Sequence, residues 1–341
     1  MQDIFEFKDS LKAVEAVTSI NVYGKDKVGK EKPMFTIAIP TYKRVSTLSE
    51  TIESTLKQEN FDDYNVIVVD NNPERNDETE IFMRKYIDHP KVTYYKNSDN
   101  VGMAGNWNKC ALLSDADQYI LLHDDDILSP YALSSFQKIR SSINGRWGLI
   151  KPILVRFSNA KELHFEKPDS CILCKHHDFN YFAGDAISAP SAVLINRESY
   201  IRSSGTDMEF FPCIDYVMSF LLNRVSATYL CLCELGGYRV GINESLSETT
   251  MNNFFKARTA IASNIMDHYY VPKFLQKSLL THSNYDTLAW VKKYYNMPEY
   301  EENFEELDLY KKNDVRVAIT GTVYHFVLRL LNFFTKKRIS M

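Results

Sequence analysis

Four short apolar runs, each closing on polar side chains, constrain this chain more than any other feature. MFTIAIP (34–40) runs into Thr41 and Tyr42, NVIVVD (65–70) into Asn71 and Asn72, KVTYYKN (91–97) into Asp99 and Asn100, and QYILLHDDD (118–126) ends in acid. Apolar stretches rich in β-branched residues are the pattern of strands covered on both faces, since a half-exposed strand alternates. Between them lie segments of helical spacing. Val45, Leu48, Ile52 and Leu56 follow the first run, a polar helix over 77–88 follows the second, and Met103, Trp107, Cys110 and Ala111 follow the third. Thr47 and Glu50 stand three apart as in a capping box, which puts the first helix start at Thr47.

Strands alternating with helices at this pitch predict an α/β fold, a mostly parallel sheet with helices on both faces. Ligands of such sheets bind at the carboxyl ends of the strands, so the four polar clusters should converge on one edge. Residues 1–33 read as a helical arm and linker. Residues 34–250 read as the main domain, with a first half at 34–130 and a second at 147–250, and 251–341 as a helical C-terminal region with polar links near Asn284, Asn296 and Asn313. In the second half GLIKPILVRF and CLCELGGYRV are strand-like, AISAPSAVLINRESY is a loop, strand and turn, and FFPCIDYVMSFLLNRV is a loop entering an apolar helix.

At 341 residues and 45% hydrophobic content the chain exceeds one compact domain. Forty basic and 44 acidic residues leave a net charge of -4, which does not point to nucleic acid. MQDIFEFKDSLK carries acids where a secretory signal needs a positive segment, so a cytosolic setting is expected, and with it six free cysteines. Cys171 and Cys174, followed by His176 and His177, could be half a zinc site, but no second ligand pair stands at a matching distance. Residues 315–341 are apolar with Arg316, Arg329, Lys336, Lys337 and Arg338 interleaved. They suit a helix lying in the headgroup layer of a membrane, or one packed on the protein's own core.

Three successive aspartates, Asp124, Asp125 and Asp126, are costly as pure structure because like charges repel and burial penalises each. A hard cation offsets that cost: Mg²⁺ or Mn²⁺ takes one or two carboxylates and leaves its other positions to water and phosphate oxygens. A solvated acidic turn capping the next helix is the plain alternative. Asp70, ending a buried strand, can accept hydrogen bonds from a base or ribose, or close an Asx turn with Asn71 and Asn72.

AIPTYKR, VIVVDNN, NVGMAGNWN and HDDDIL, in this order and spacing, resemble the family 2 glycosyltransferases, which have the GT-A fold; the likeness covers about residues 34–245. The resemblance implies that Pro40, Tyr42 and Arg44 lie beside the nucleotide, that Asp70 contacts uracil or ribose, and that Asp99 and Asn106 surround base and sugar. By the same likeness Asp124 and Asp126 are the ends of the D-x-D motif and the metal ligands, with Asp125 beside them at the donor. Ala189, Pro190 and Ser191 line the acceptor side, and Asp215 is the catalytic base. Apolar Phe210, Phe211, Ile214 and Tyr216 suit Asp215 to that role by raising its proton affinity, though it could equally cap a helix. One departure stands out. The family often carries a histidine two residues after Arg239, where this chain has Gly241. Arg239 remains a candidate for the diphosphate, with a surface ion pair as the alternative.

The expected function is therefore a metal-dependent inverting hexosyltransferase, taking a sugar from a UDP-sugar to a saccharide or lipid-linked saccharide at the inner face of a membrane, in surface polysaccharide synthesis. The basic tail motivates the lipid-linked acceptor, and exposed aromatics in the helical region could pair in a homo-oligomer. A sugar-phosphate nucleotidyltransferase would need a glycine-rich basic loop where PTYKR stands. A non-catalytic nucleotide- or glycan-binding partner of another transferase is the alternative that the missing histidine favours.

Overall fold

The computed structural model of the chain describes residues 3–6, 8–24, 31–184, 189–241, 248–294 and 304–341. Its strands are β1 (Ser19–Tyr23), β2 (Phe35–Thr41), β3 (Tyr64–Asp70), β4 (Val92–Asn97), β5 (Gln118–Leu121), β6 (Ile127–Leu128), β7 (Trp147–Phe157), β8 (Ser170–Lys175), β9 (Val193–Asn196), β10 (Ala227–Arg239) and β11 (Lys337–Ser340). Its helices are α1 (Ser10–Glu15), α2 (Val45–Thr55), α3 (Glu78–Met83), α4 (Gly102–Leu113), α5 (Ala132–Ser141), α6 (Arg197–Arg202), α7 (Ile214–Val225), α8 (Glu248–His268), α9 (Lys273–Tyr294) and α10 (Val315–Thr335).

One sheet runs β1-β4-β3-β2-β5-β9-β7-β10-β8-β11, with β6 paired to β10. The first half is parallel, β4 to β3 to β2 to β5, as the apolar runs required. The second half mixes directions: β9 is antiparallel to both β5 and β7, while β7 and β10 run parallel. Strand alternation sorts the core. Ile37, Ile39, Val66, Val68 and Ile120 pack with Leu48, Ile52, Leu133 and Phe136 of α2 and α5. Ala38, Ile67, Val69, Tyr119 and Leu121 pack with Trp107 and Cys110 of α4 and Met218 and Leu222 of α7. Every residue of β2 and β3 is buried, because helices cover both faces.

Several sequence expectations are corrected. Helix α2 begins at Val45 with Arg44 at the cap position and no side-chain cap; Thr47 lies inside the helix, its hydroxyl buried without a partner among the described residues. The chain reverses through Lys43, at φ 53, directly after β2, so the helix starts as soon as the turn is made. The polar segment 77–88 is helical only over Glu78–Met83, followed by a 3-10 turn to Tyr86. Strand β5 stops at Leu121, and the acids fall in a turn closed by Asp126 N–H donating to the His123 carbonyl (3.2 Å). The N-terminal arm is more than a helix and linker, since β1 adds to the sheet edge antiparallel to β4.

The region after 250 is not wholly helical either. Lys337–Ser340 form an edge strand on β8, so the basic C-terminus is built into the sheet. Asn284 lies within α9, fully buried and bonded to Arg258 and Thr259, instead of marking a link. The expected link at Asn296, and residues 186–188 of the expected loop before β9, lie outside the described residues. Helix α10 buries Val317, Gly321 and Tyr324, while Val315, Ile319, Val323, Phe326, Leu330, Phe333 and Phe334 stay exposed on another face.

Candidate active site

The carboxyl ends of β2, β3, β4 and β5 meet as the alternating pattern required. In register, Thr41 of β2 lies opposite Asp70 of β3, and Asp70 opposite Lys96 of β4. The Thr41 hydroxyl donates to Asp124 Oδ2 (2.7 Å), tying the acidic turn to the same edge as Asp70.

All three aspartates are buried, Asp126 completely. Arg44 binds Asp125 at 2.7 Å and stands 3.7 Å from Asp124. Arg239, at the end of β10, donates its backbone N–H to Asp126 Oδ1 (2.8 Å) and its Nε to the Asp125 carbonyl (2.8 Å), and pairs with Glu50. Its guanidinium also lies 4.6 Å from the centre of the Phe157 ring. Acid outnumbers base in this turn. Burial, reinforced by the Asp125 charge, pushes Asp124 up to about 7 against the opposing Thr41 hydroxyl and Arg44. The same two causes push Asp126 up to about 7. Among the described residues Asp126 Oδ2 is buried with no hydrogen bond of good geometry, although the nearby Ser191 hydroxyl partly opposes the rise in its pKa. A buried acceptor left so costs on the order of 1–3 kcal/mol unless a ligand completes it.

His123 completes the turn in a way the sequence reading missed. Its Nδ1 lies 3.8 Å from Asp126 Oδ2, its ring stacks on Trp107 at 5.5 Å, and its Nε2 is buried without a partner among the described residues. Burial, aided by Lys151 and Arg44, drives its pKa down to about 4, so at neutral pH it is a free imidazole. The ligand atoms of His123, Asp125 and Asp126 lie within 4.8 Å of one another. An orphaned carboxylate oxygen, a neutral imidazole and a second acid suit a divalent cation. This trio differs from the expected Asp124–Asp126 pair; Asp124 gives one oxygen to Thr41, and Asp125 gives one to Arg44.

A second segment joins this turn to Asp215. The His123 N–H donates to Ser191 Oγ (3.1 Å), and Ser191 is fully buried. Ala189, held at φ 33, donates its N–H to Asp215 Oδ2 (3.1 Å). Buried Lys151 donates to the carbonyls of Ala189 and Ser191, pinning the segment from below. Asp215 sits half-buried in the first turn of α7 and accepts the Tyr216 N–H (2.9 Å); burial raises its pKa against those N–H donors and Lys151.

Residues 36–139 match the family described as "Glycosyl transferase family 2". That matched stretch, about a third of the chain, resembles the family 2 glycosyl transferases. Over 107 residues it is 27% identical to a protein of Escherichia coli (strain K12) described as a colanic acid biosynthesis glycosyl transferase, WcaA; the match covers 31% of this chain and 38% of that relative. In fold it is similar to Staphylococcus aureus TarS. The TarS 1-349 structure with UDP-GlcNAc superposes with a TM-score of 0.55 at 12% identity, covering 85% of this chain and 80% of that one. The longer TarS structure gives 0.51 at 14% identity, covering 77% and 44%. The mixed sheet with its helical C-terminal region is thus a GT-A-like arrangement.

The remaining expected residues differ in what they offer. Tyr42 is exposed and Pro40 buried in β2. Asp99 is exposed and binds the Asn100 N–H at 2.8 Å. Asn106 is spent internally, accepting from Asn97 (3.0 Å) and donating to the Val69 carbonyl (3.0 Å), so it braces the loop instead of facing a ligand. Asp70 is likewise enclosed: Lys96 (2.8 Å), Tyr94 OH (2.6 Å) and the Asn72 N–H (2.9 Å) occupy its oxygens. Its geometry is the Asx turn, with a buried lysine that the strand pattern gave no reason to suspect. Arg239 is buried and braces the acidic turn, and it also forms an ion pair with the half-exposed Glu50, so both the bracing role and the ion pair are present. Gly241, exposed at φ 98, has open space where a side chain would stand, and 242–247 of the expected loop lie outside the described residues. Cys171 meets Cys231 (2.9 Å) across β8 and β10, away from the reading that grouped it with Cys174 and the histidines. A cavity of about 510 Å³ at the opposite end of β5, beside Asp117 and Gln118, lies away from all of these groups.

Proposed function

We propose that the chain transfers a sugar, with inversion, from a nucleoside diphosphate sugar to a hydroxyl of a saccharide acceptor in surface polysaccharide synthesis. The observation that carries this reading is the buried acidic turn with its orphaned Asp126 oxygen, connected through Ser191 and Ala189 to Asp215. Asp126, Asp125 and His123 would hold Mn²⁺ or Mg²⁺, with Asp124 near. Such an ion, when bound, acts as a Lewis acid toward the diphosphate. Arg44, only partly buried, adds positive charge beside it. Pro40, Tyr42, Asp99 and the Asp70 turn shape the nucleotide side, and Ala189, Pro190 and Ser191 the acceptor side. Asp215, its basicity raised by burial, removes the proton from the acceptor hydroxyl as the oxygen attacks the anomeric carbon opposite the departing nucleoside diphosphate. Uridine is the favoured base: it follows from the family likeness, and TarS was solved with UDP-GlcNAc.

A thermal-shift panel of nucleotide sugars with and without Mn²⁺ tests this. A UDP-sugar at a hundred times its Kd adds about 2.7 kcal/mol of stability. Mn²⁺ should enhance that gain more at pH 8 than at pH 6, because below about 7 protons compete for Asp124 and Asp126. No nucleotide sugar stabilising the chain at either pH, with metal present, would remove the donor assignment. The non-catalytic alternative rests on Gly241; in the catalytic reading His123 would supply the missing ligand at the acidic turn itself.

The acceptor is proposed to be lipid-linked at the inner membrane face. Residues 315–341 hold five Lys and Arg and no Asp or Glu, in a chain of net charge -4. Together with the exposed apolar face of α10 this complements an anionic lipid surface. The 21-residue helix is long and apolar enough to cross a bilayer. It is instead held to the body by Tyr324 OH donating to the Phe179 carbonyl (3.1 Å) and by β11 in the sheet. Vesicles with anionic lipid should pellet the chain, Phe333→Ser/Phe334→Ser should release it, and equal binding to neutral vesicles would count against the electrostatic part.

A further inference from the structure

On the C-terminal helices, away from the acidic turn, two histidines and an aspartate face one another. His282 and Asp286 lie one helical turn apart on α9, and His325 reaches across from α10. His282 Nε2 stands 3.0 Å from His325 Nε2 and 3.2 Å from Asp286 Oδ2, and His325 Nε2 stands 3.8 Å from the same oxygen. Three atoms so spaced lie on a circle of radius about 2 Å, close to the ~2.0–2.2 Å bonds that Zn²⁺ makes to imidazole nitrogen and carboxylate oxygen.

A second observation points the same way. Gly321, inside α10 and one turn before His325, is in contact with the His282 ring: a Cβ there would meet ring atoms at 2.6 Å. Glycine is a poor residue for a helix interior, and at this position it makes room for the imidazole to lie flat against the neighbouring helix and aim Nε2 at His325. Ser278 donating to Thr320 (3.0 Å) and Tyr324 donating to the Phe179 carbonyl (3.1 Å) fix the register of the two helices, so the site is preset. A proton between the imidazoles would satisfy one of the three contacts, whereas a divalent ion satisfies all of them.

We propose that His282, Asp286 and His325 bind a borderline transition-metal ion, Zn²⁺ foremost, which clips α10 to α9. Two nitrogens and one oxygen suit Zn²⁺ over Mg²⁺ or Ca²⁺, and the exposure of His325 and Asp286 leaves a coordination position open to water or a further ligand. This site does not depend on the transferase reading.

The test is a Co²⁺ titration of the metal-stripped full chain carrying Asp126→Asn, read by visible absorption. Imidazole-bound Co²⁺ of low coordination number absorbs far more strongly than Co²⁺ in an all-oxygen octahedral site. One equivalent should produce the strong band, and Zn²⁺ should abolish it. His325→Gln and His282→Gln should each weaken binding by at least the ~10–100-fold that loss of an outer-shell partner of a metal site costs. Gly321→Ala should weaken it too, although alanine is the better helix former, which separates metal loss from helix loss. Asp286, with 61% side-chain exposure, serves where a histidine variant fails to fold, and Asp286→Asn should weaken binding in the same direction. A titration with no strong band, or one unchanged in His325→Gln and Asp286→Asn, overturns the proposal.

Discussion

Asp126→Asn should cut Mn²⁺-stimulated sugar transfer by about 10³-fold, the scale of losing one preorganised electrostatic partner of a developing charge. Asparagine keeps an acceptor for the Arg239 N–H and removes the charge that burial disfavours. The folded-state pKa of Asp126, about 7, lies above the ordinary carboxylate value, so the fold prefers the protonated acid. That preference is present at low pH and is lost as pH rises from about 4 through about 7. Without metal at pH 8, the variant should therefore be as stable as the parent or more so, by on the order of 1–3 kcal/mol. Kinetics with and without Mn²⁺, and metal-free thermal midpoints at pH 6 and 8, check both halves. Full Mn²⁺ stimulation in the variant would separate the acidic turn from the metal.

Asp215→Asn should lower transfer by about 10²–10⁴-fold, the usual range for a positioned general base, with the donor KM nearly unchanged. Its carboxylate accepts the Ala189 N–H and the Tyr216 N–H at the start of α7, contacts separate from those that hold the acidic turn. Donor and acceptor functions should therefore separate in this variant. Steady-state kinetics together with calorimetric donor binding give the answer. A variant retaining parental transfer would reduce Asp215 to a helix-start residue that orders the 189–192 segment.

The first half of the sheet was readable from the chain alone. Its central strands are buried on both faces, so their sequences are mostly apolar and end on polar residues where the chain leaves the sheet, with buried Thr93 and Lys96 of β4 among the exceptions. That is why Thr41, Asp70 and Asp124 announce a common edge. The short strands β1, β6 and β11 carry no such signature: an edge or two-residue strand has too few buried positions to impose a pattern, and its partner is distant in sequence.

Local sequence also determined that an acidic turn closes β5 and that a carboxylate opens α7, because three consecutive aspartates and an acid before an apolar helix can be recognised in place. Which oxygen of which aspartate stays free was decided only in three dimensions. Thr41 takes Asp124, Arg44 takes Asp125, Arg239 takes one oxygen of Asp126, and His123 is folded back on Trp107 beside the other. Asn106 and Asp70 look like ligand-binding polar groups in sequence, and tertiary packing instead commits them to Asn97, Val69, Lys96 and Tyr94. A residue's chemistry is written in its side chain, but its availability depends on which donors from distant strands reach it first.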